Sequence, residues 1–181
     1  MARADGRLTA DLNPQDHGPQ DACGVIGIYA PGEEVSKLTY FGMYALQHRG
    51  QESAGMAVSD GRHMMVFKDM GLVSQVFDEA TLNSLQGHMA VGHTRYSTTG
   101  ASIWDNAQPT FRSRQGGDGL ALAHNGNLTN TGALEALIAE RAPDTEVPHK
   151  DRMDSSNDTS LVTALMTTYD GTLEEVAAQV L

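Results

Sequence analysis

Cys23 is the only cysteine in the 181 residues. It stands where a polar, disorder-like stretch gives way to the first apolar run, Gly24-Val25-Ile26-Gly27-Ile28-Tyr29-Ala30. A lone cysteine at the start of a strand is ordinarily a small core residue. Two features favour chemistry instead: the junction itself, and Gly24, which lets other backbone approach closely. If the chain is cut before Cys23, the thiol carries its own α-amine, with a reference pKa of about 7.7–8.0. Such an amine acts as general base without a histidine. A cysteine hydrolase using His48, His93 or His124 as base stays open beside this reading.

Asn125 and Gly126 form the second group, in Leu122-Ala123-His124-Asn125-Gly126-Asn127-Leu128. Asn-Gly after a strand is ordinarily a turn. The chemical alternative is an oxyanion hole, made by the Asn125 carboxamide and the Gly126 backbone N–H; one such donor is worth about 3 kcal/mol of barrier. The third group is Arg95 in Gly92-His93-Thr94-Arg95-Tyr96-Ser97-Thr98-Thr99-Gly100. Arginines are mostly solvated, but a planar guanidinium also grips a carboxylate bidentately. Hydroxyls at Thr98 and Thr99 add possible donors. Asp158 opens an expected helix, where an acid is favoured by the dipole or could hold an ammonium. His93 and His124 lack ligand spacing and acidic or thiolate neighbours, so no metal site is expected. A thiol, an oxyanion hole, a cation and an anion together suit an amino acid with a reactive side-chain amide.

Several elements must position these groups. Residues 1–22 carry four acidic and two basic side chains and no apolar segment, so they read as a leader and not a secretory signal. Strands are expected at Cys23–Ala30, Ser53–Ser59, His63–Lys68, His88–His93 and Leu120–His124. Asp60-Gly61 marks a hairpin, and Thr94–Gly100 a polar stretch. Helices are expected at Val35–His48, at Asp78–Leu85 with Asp78 as N-cap, at Thr131–Arg141 and at Asn157–Tyr169. A polar loop fills 142–156. Thr172 and Glu175 form a capping-box pattern for a last helix running to Leu181. The mixture is α+β, with stacked antiparallel sheets flanked by helices.

A net charge of -11 argues against a nucleic-acid surface and against an anionic membrane. No apolar run approaches the ~20 residues of a membrane span. One cysteine allows no internal disulfide, and a reducing cytoplasm is the expected compartment. Nor can one thiol build a structural zinc or iron–sulfur site.

Four blocks occur in order: Cys23-Gly24-Val25-Ile26-Gly27-Ile28; Gln47-His48-Arg49-Gly50-Gln51-Glu52-Ser53-Ala54-Gly55; Gly92-His93-Thr94-Arg95-Tyr96-Ser97-Thr98; and His124-Asn125-Gly126-Asn127-Leu128-Thr129-Asn130. Together they closely resemble the class II glutamine amidotransferases, a branch of the N-terminal-nucleophile (Ntn) hydrolases. Gln47–Gln51, Arg95–Thr98, His124–Asn127 and Asn106-Ala107-Gln108-Pro109 resemble the glutamine phosphoribosylpyrophosphate amidotransferase family more than the glucosamine-6-phosphate synthases, which remain the alternative. The resemblance implies a four-layer α/β/β/α sandwich. It implies Cys23 as nucleophile, its freed amine as base, and Asn125 and Gly126 as oxyanion hole. It implies Arg95 as clamp for the glutamine α-carboxylate, Asp158 as partner of its α-amine and Thr98 as a further substrate contact. Arg49 and Gly50 fall in a segment lining the nucleophile. Ser156-Asn157-Asp158-Thr159-Ser160 departs from the family's pattern around its acid.

The implied activity is glutamine hydrolysis supplying ammonia to phosphoribosyl pyrophosphate, the first committed step of purine synthesis. On this reading residues 23–181 are an incomplete glutaminase domain, and the phosphoribosyltransferase domain is absent. Its Mg²⁺ and phosphoribosyl pyrophosphate sites, and the 4Fe–4S cluster of some members, are then absent too. A homo-oligomer is expected at full length, and an inactive fragment remains an alternative for the segment alone.

Overall fold

The computed structural model describes residues 23–96, 102–114, 117, 119–143 and 158–180. The expected leader, Thr98 and most of the expected 142–156 loop lie outside them.

Four strands carry mostly small or apolar residues: β1 (Gly24–Tyr29), β2 (Ser53–Ser59), β3 (Met64–Met70) and β4 (Met89–Arg95). They form one antiparallel sheet in the order β1-β4-β2-β3. Register assigns the faces. Ile26 pairs with Gly92, Gly92 with Met56, and Met56 with Phe67, so all four share one face. Against that face pack α1 (Val35–Ala45), α2 (Val73–Val76) and α3 (Glu79–Ser84). Val35, Met43, Met56, Val58, Val73, Phe77 and Leu82 belong to the resulting core.

The opposite face carries the row Val25, His93, Gly55 and Lys68. It looks toward a second, two-stranded sheet of β5 (Thr110–Ser113) and β6 (Gly119–Leu122). The Gln108 carbonyl lies so close to Gly55 that a Cβ there has no room. Beyond β5 and β6 lies α5 (Asp158–Thr167), with α4 (Thr131–Arg141) and α6 (Leu173–Val180) packed on it. Ile138, Leu161, Ala164 and Leu165 form this second core. The layers therefore run helix, sheet, sheet, helix, the α/β/β/α sandwich expected above.

Several boundaries follow local chemistry. Asp60 Oδ1 accepts the Arg62 and His63 amides, and Gly61 takes a φ of 86°, which closes the β2–β3 hairpin. Asp78 caps α3 by accepting the Thr81 N–H at 2.7 Å. Thr172 and Glu175 bond reciprocally, at 2.9 and 3.3 Å, to cap α6.

Other boundaries differ from expectation. Helix α1 stops at Ala45, and Gln47–Arg49 form a single 3-10 turn. The Gln47 side chain reorganises this corner, donating to the Gly50 carbonyl and accepting the Val73 N–H. Strand β4 begins one residue late and continues through Thr94 and Arg95, which pair with Ala54 and Ser53. Those two side chains are buried, so their polarity misleads a reading based on apolar periodicity. β3 is displaced by one to two residues, β6 ends at Leu122, and α5 ends at Thr167. The four-residue elements α2 and β5 were not expected, being too short to show a period.

Candidate active site

The end of β1 delivers Cys23 to the rim of the sheet, where β4 also ends. Gly24 pairs with Thr94, so Cys23 falls opposite Arg95 one step along the same ladder. Among the described residues, Tyr96 brackets the Cys23 thiol: its N–H donates to Sγ at 3.4 Å, and Sγ donates to its carbonyl at 3.4 Å. The Cys23 carbonyl accepts Arg49 Nε at 3.3 Å and Asn125 Nδ2 at 2.5 Å. Asn125 and Cys23 are 102 positions apart in the chain. The fold thus brings together Cys23, Arg49, Arg95 and Asn125 from four segments.

Gly50 explains how Arg49 reaches this rim. A Cβ on Gly50 would meet the Thr94 carbonyl at 2.5 Å and the Arg95 carbonyl carbon at 2.7 Å. Only glycine lets the segment lie flat on β4. Arg95 is 7% exposed, with Nη1 3.8 Å from Glu52 Oε2, and its carbonyl accepts the Glu52 N–H at 3.1 Å.

The Asn125–Gly126 turn leaves the end of β6 and is exposed. A Cβ on Gly126 would meet the His124 ring at 2.5 Å, so glycine lets the turn close against that ring. On the far side of the turn, Asp158 Oδ2 accepts the Leu128 N–H at 2.6 Å. Asp158 is therefore joined to the turn bearing Asn125. Among the described residues, this contact leaves lone pairs on a carboxylate that offers about four acceptor sites. Thr98 lies outside the described residues.

Behind the turn, His93 is completely buried on β4, its ring beside the Asn125 side chain and the His124 backbone. Burial pushes its pKa down to about 4; Asn125 and His124 oppose that shift and the Arg95 charge adds to it. It is neutral at pH 7 and does not serve as a charged partner for the thiol. His48 Nδ1 is paired with the Ala45 carbonyl at 3.0 Å.

Sequence reading missed three contributors. The Tyr96 backbone brackets the thiol, and no side-chain pattern announces a main-chain contact. Glu52 lies within a quoted motif, but its pairing with Arg95 needs the β2–β4 ladder. Gln108 accepts the His124 N–H at 2.8 Å, although only its place in a family block had drawn notice.

Among the described residues, no group of three or more His, Cys, Asp or Glu could hold a metal ion. No described helix is long and apolar enough to cross a membrane.

No protein-family model matches the chain. Amidophosphoribosyltransferase of Mycobacterium tuberculosis (strain H37Rv) is 52% identical over 183 residues, covering 96% of this chain and 33% of the relative. Amidophosphoribosyltransferase of Synechococcus elongatus is 60% identical over 139 residues, covering 74% of this chain and 28% of the relative. Among solved structures, the Bacillus subtilis glutamine phosphoribosylpyrophosphate amidotransferase complexed with ADP and GMP superposes with a TM-score of 0.70 at 34% identity. That match covers 86% of this chain and 32% of the solved one.

Proposed function

We infer a glutaminase from the chain's family: it belongs to the amidophosphoribosyltransferases, and it spans about a third of the length of the curated relatives it matches. The observation that carries the reading is the convergence of Cys23 and Asn125, 102 positions apart, at one rim beside Arg95.

Removal of residues 1–22 frees the Cys23 α-amine, which takes the thiol proton. The thiolate attacks Cδ of glutamine. The resulting oxyanion is held by the Gly126 N–H and the Asn125 carboxamide. Asn125 has two N–H donors, so one can hold the Cys23 carbonyl while the other faces the oxyanion. The C–N bond then breaks, the protonated α-amine gives its proton to the leaving nitrogen, and ammonia departs. A γ-glutamyl thioester remains on Sγ. Water, deprotonated by the same amine, attacks the thioester and releases glutamate. Arg95 holds the substrate α-carboxylate bidentately, Asp158 holds the α-ammonium, and Thr98 adds a contact. Arg49 fixes the Cys23 carbonyl, which orients the nucleophile.

The ammonia acceptor is phosphoribosyl pyrophosphate, yielding 5-phosphoribosylamine and pyrophosphate on the path to purines. That acceptor chemistry, with its Mg²⁺, is assigned to a phosphoribosyltransferase domain elsewhere in the full-length protein. The donors described here do not suit that ion, and a single cysteine does not fit the thiolate set of a 4Fe–4S cluster.

In the full-length protein, Cys23→Ser should lower glutamine hydrolysis about a thousandfold or more, while activity with free ammonia as nitrogen donor persists. Intact mass should place Cys23 at the mature N-terminus. Full glutaminase activity with Met1 retained would overturn the amine-base mechanism.

A further inference from the structure

We propose that Gln108 is a positioning residue for the oxyanion hole, an assignment that rests on the glutaminase reading above. Gln108 belongs to a turn bolted to the first sheet. Lys68 Nζ on β3 donates to the Ala107 carbonyl at 2.6 Å, and its ammonium lies 4.6 Å from the centroid of the Trp104 ring. Trp104 Nε1 returns a hydrogen bond to the Lys68 carbonyl at 3.0 Å. The Gln108 carbonyl packs directly on Gly55 of β2. This backbone is therefore anchored to the sheet whose rim holds Arg95 and Cys23.

The Gln108 side chain carries that rigidity across to the second sheet. Gln108 is 7% exposed, and its Oε1 accepts the His124 N–H at 2.8 Å. His124 immediately precedes Asn125 and Gly126, the two proposed oxyanion donors. The ladder of β6 ends at Leu122, whose carbonyl accepts Thr110 Oγ1 at 3.3 Å. Past that point, Gln108 fixes the direction in which the chain enters the turn. Asp158 fixes its exit separately, at Leu128. Oxyanion donors act within a narrow distance window, and a shift of about 1 Å can cost about a hundredfold in rate. A carboxamide is suited to this place because it offers a neutral acceptor inside a nearly closed space.

The test uses the full-length protein with Gln108→Met and Gln108→Glu. Methionine keeps the volume and removes the strong acceptor; glutamate keeps an acceptor oxygen. Competent sites are counted by titrating Cys23 with a diazoketone analogue of glutamine, so loss of folded protein does not register as loss of rate. Per titrated thiol, Q108M should lower kcat for glutamine about tenfold or more, with KM changed less than about twofold. The alkylation rate of Cys23 by iodoacetamide should stay at the wild-type value. Q108E keeps the acceptor but adds a carboxyl to a nearly closed space, so its kcat per titrated thiol should lie between those of Q108M and wild type. A Q108M protein with wild-type kcat, or with a raised KM alone, overturns the proposal. If Q108M does not fold, Gln108→Ala decides: a wild-type kcat per titrated thiol overturns the assignment. Wild-type protein without Cys23-dependent hydrolysis would instead overturn the glutaminase reading itself.

Discussion

His93 shows how one buried side chain links the site to stability. Its reference pKa of 6.5 is lowered to about 4 in the folded chain, chiefly by burial. As pH falls below 6.5, the unfolded chain takes up this proton before the folded chain does. Stability is therefore complete above that value and falls as pH drops toward 4. By pH 5 the loss attributable to His93 should be about 2 kcal/mol relative to pH 7. Urea unfolding of wild type and His93→Gln at both pH values isolates this contribution, because carboxylate effects are shared. Parallel pH dependences in the two proteins would show that His93 is not the titrating group. The same residue shows what side-chain chemistry alone misses. Cys23, Asn125 and Arg95 could be named from residue type and motif. That His93 backs Asn125, and that Gln108 grips the residue before it, depends on sheet register and on contacts between sheets.

At the scale of elements, α1 is seated by an absent side chain. Gly92 on β4 lies beneath the helix, and a Cβ there would meet Met43 Sδ at 2.6 Å and Thr39 Cγ2 at 2.8 Å. The Met43 tip can swing, but Thr39 is β-branched and stiff, and its hydroxyl donates to the Val35 carbonyl at 2.8 Å. Gly92→Ala should therefore lift the helix and lower unfolding stability by about 1–3 kcal/mol. Gly27→Ala, which meets nothing within 4 Å, should change stability by less than about 0.5 kcal/mol. Denaturant midpoints of the two variants make the comparison; equal values would discard this account of α1 docking. The contrast also marks how far the elements were legible. Helices α1, α3, α4 and α6 announced themselves by period or cap, and the β2–β3 hairpin by Asp60-Gly61. The C-terminal half of β4 did not, because the polar residues Thr94 and Arg95 occupy buried strand positions there. β5 did not, because four residues carry too little alternation.

At the scale of the molecule, the two inner faces are unequally covered. Gly55 and Lys68 lie beneath the Gln108 turn, but at the β1 side of the same face Val25 is 43% exposed, Tyr29 72% and Met89 41%. β1 is also an edge strand of the four-stranded sheet. An exposed apolar face beside an open strand edge is a site of association. The net charge of -11 opposes association over long range but is screened within about 10 Å at 0.1 M salt. Residues 1–181 expressed alone should therefore associate reversibly at concentrations of about 10–100 μM, more strongly as salt rises. Sedimentation velocity across that range tests this. Val25→Lys combined with Tyr29→Lys should return the chain to monomer, because both side chains point off the same face and neither belongs to a core cluster. A wild-type segment that stays monomeric throughout, or a double variant that associates equally well, would show that this face does not drive contact between copies.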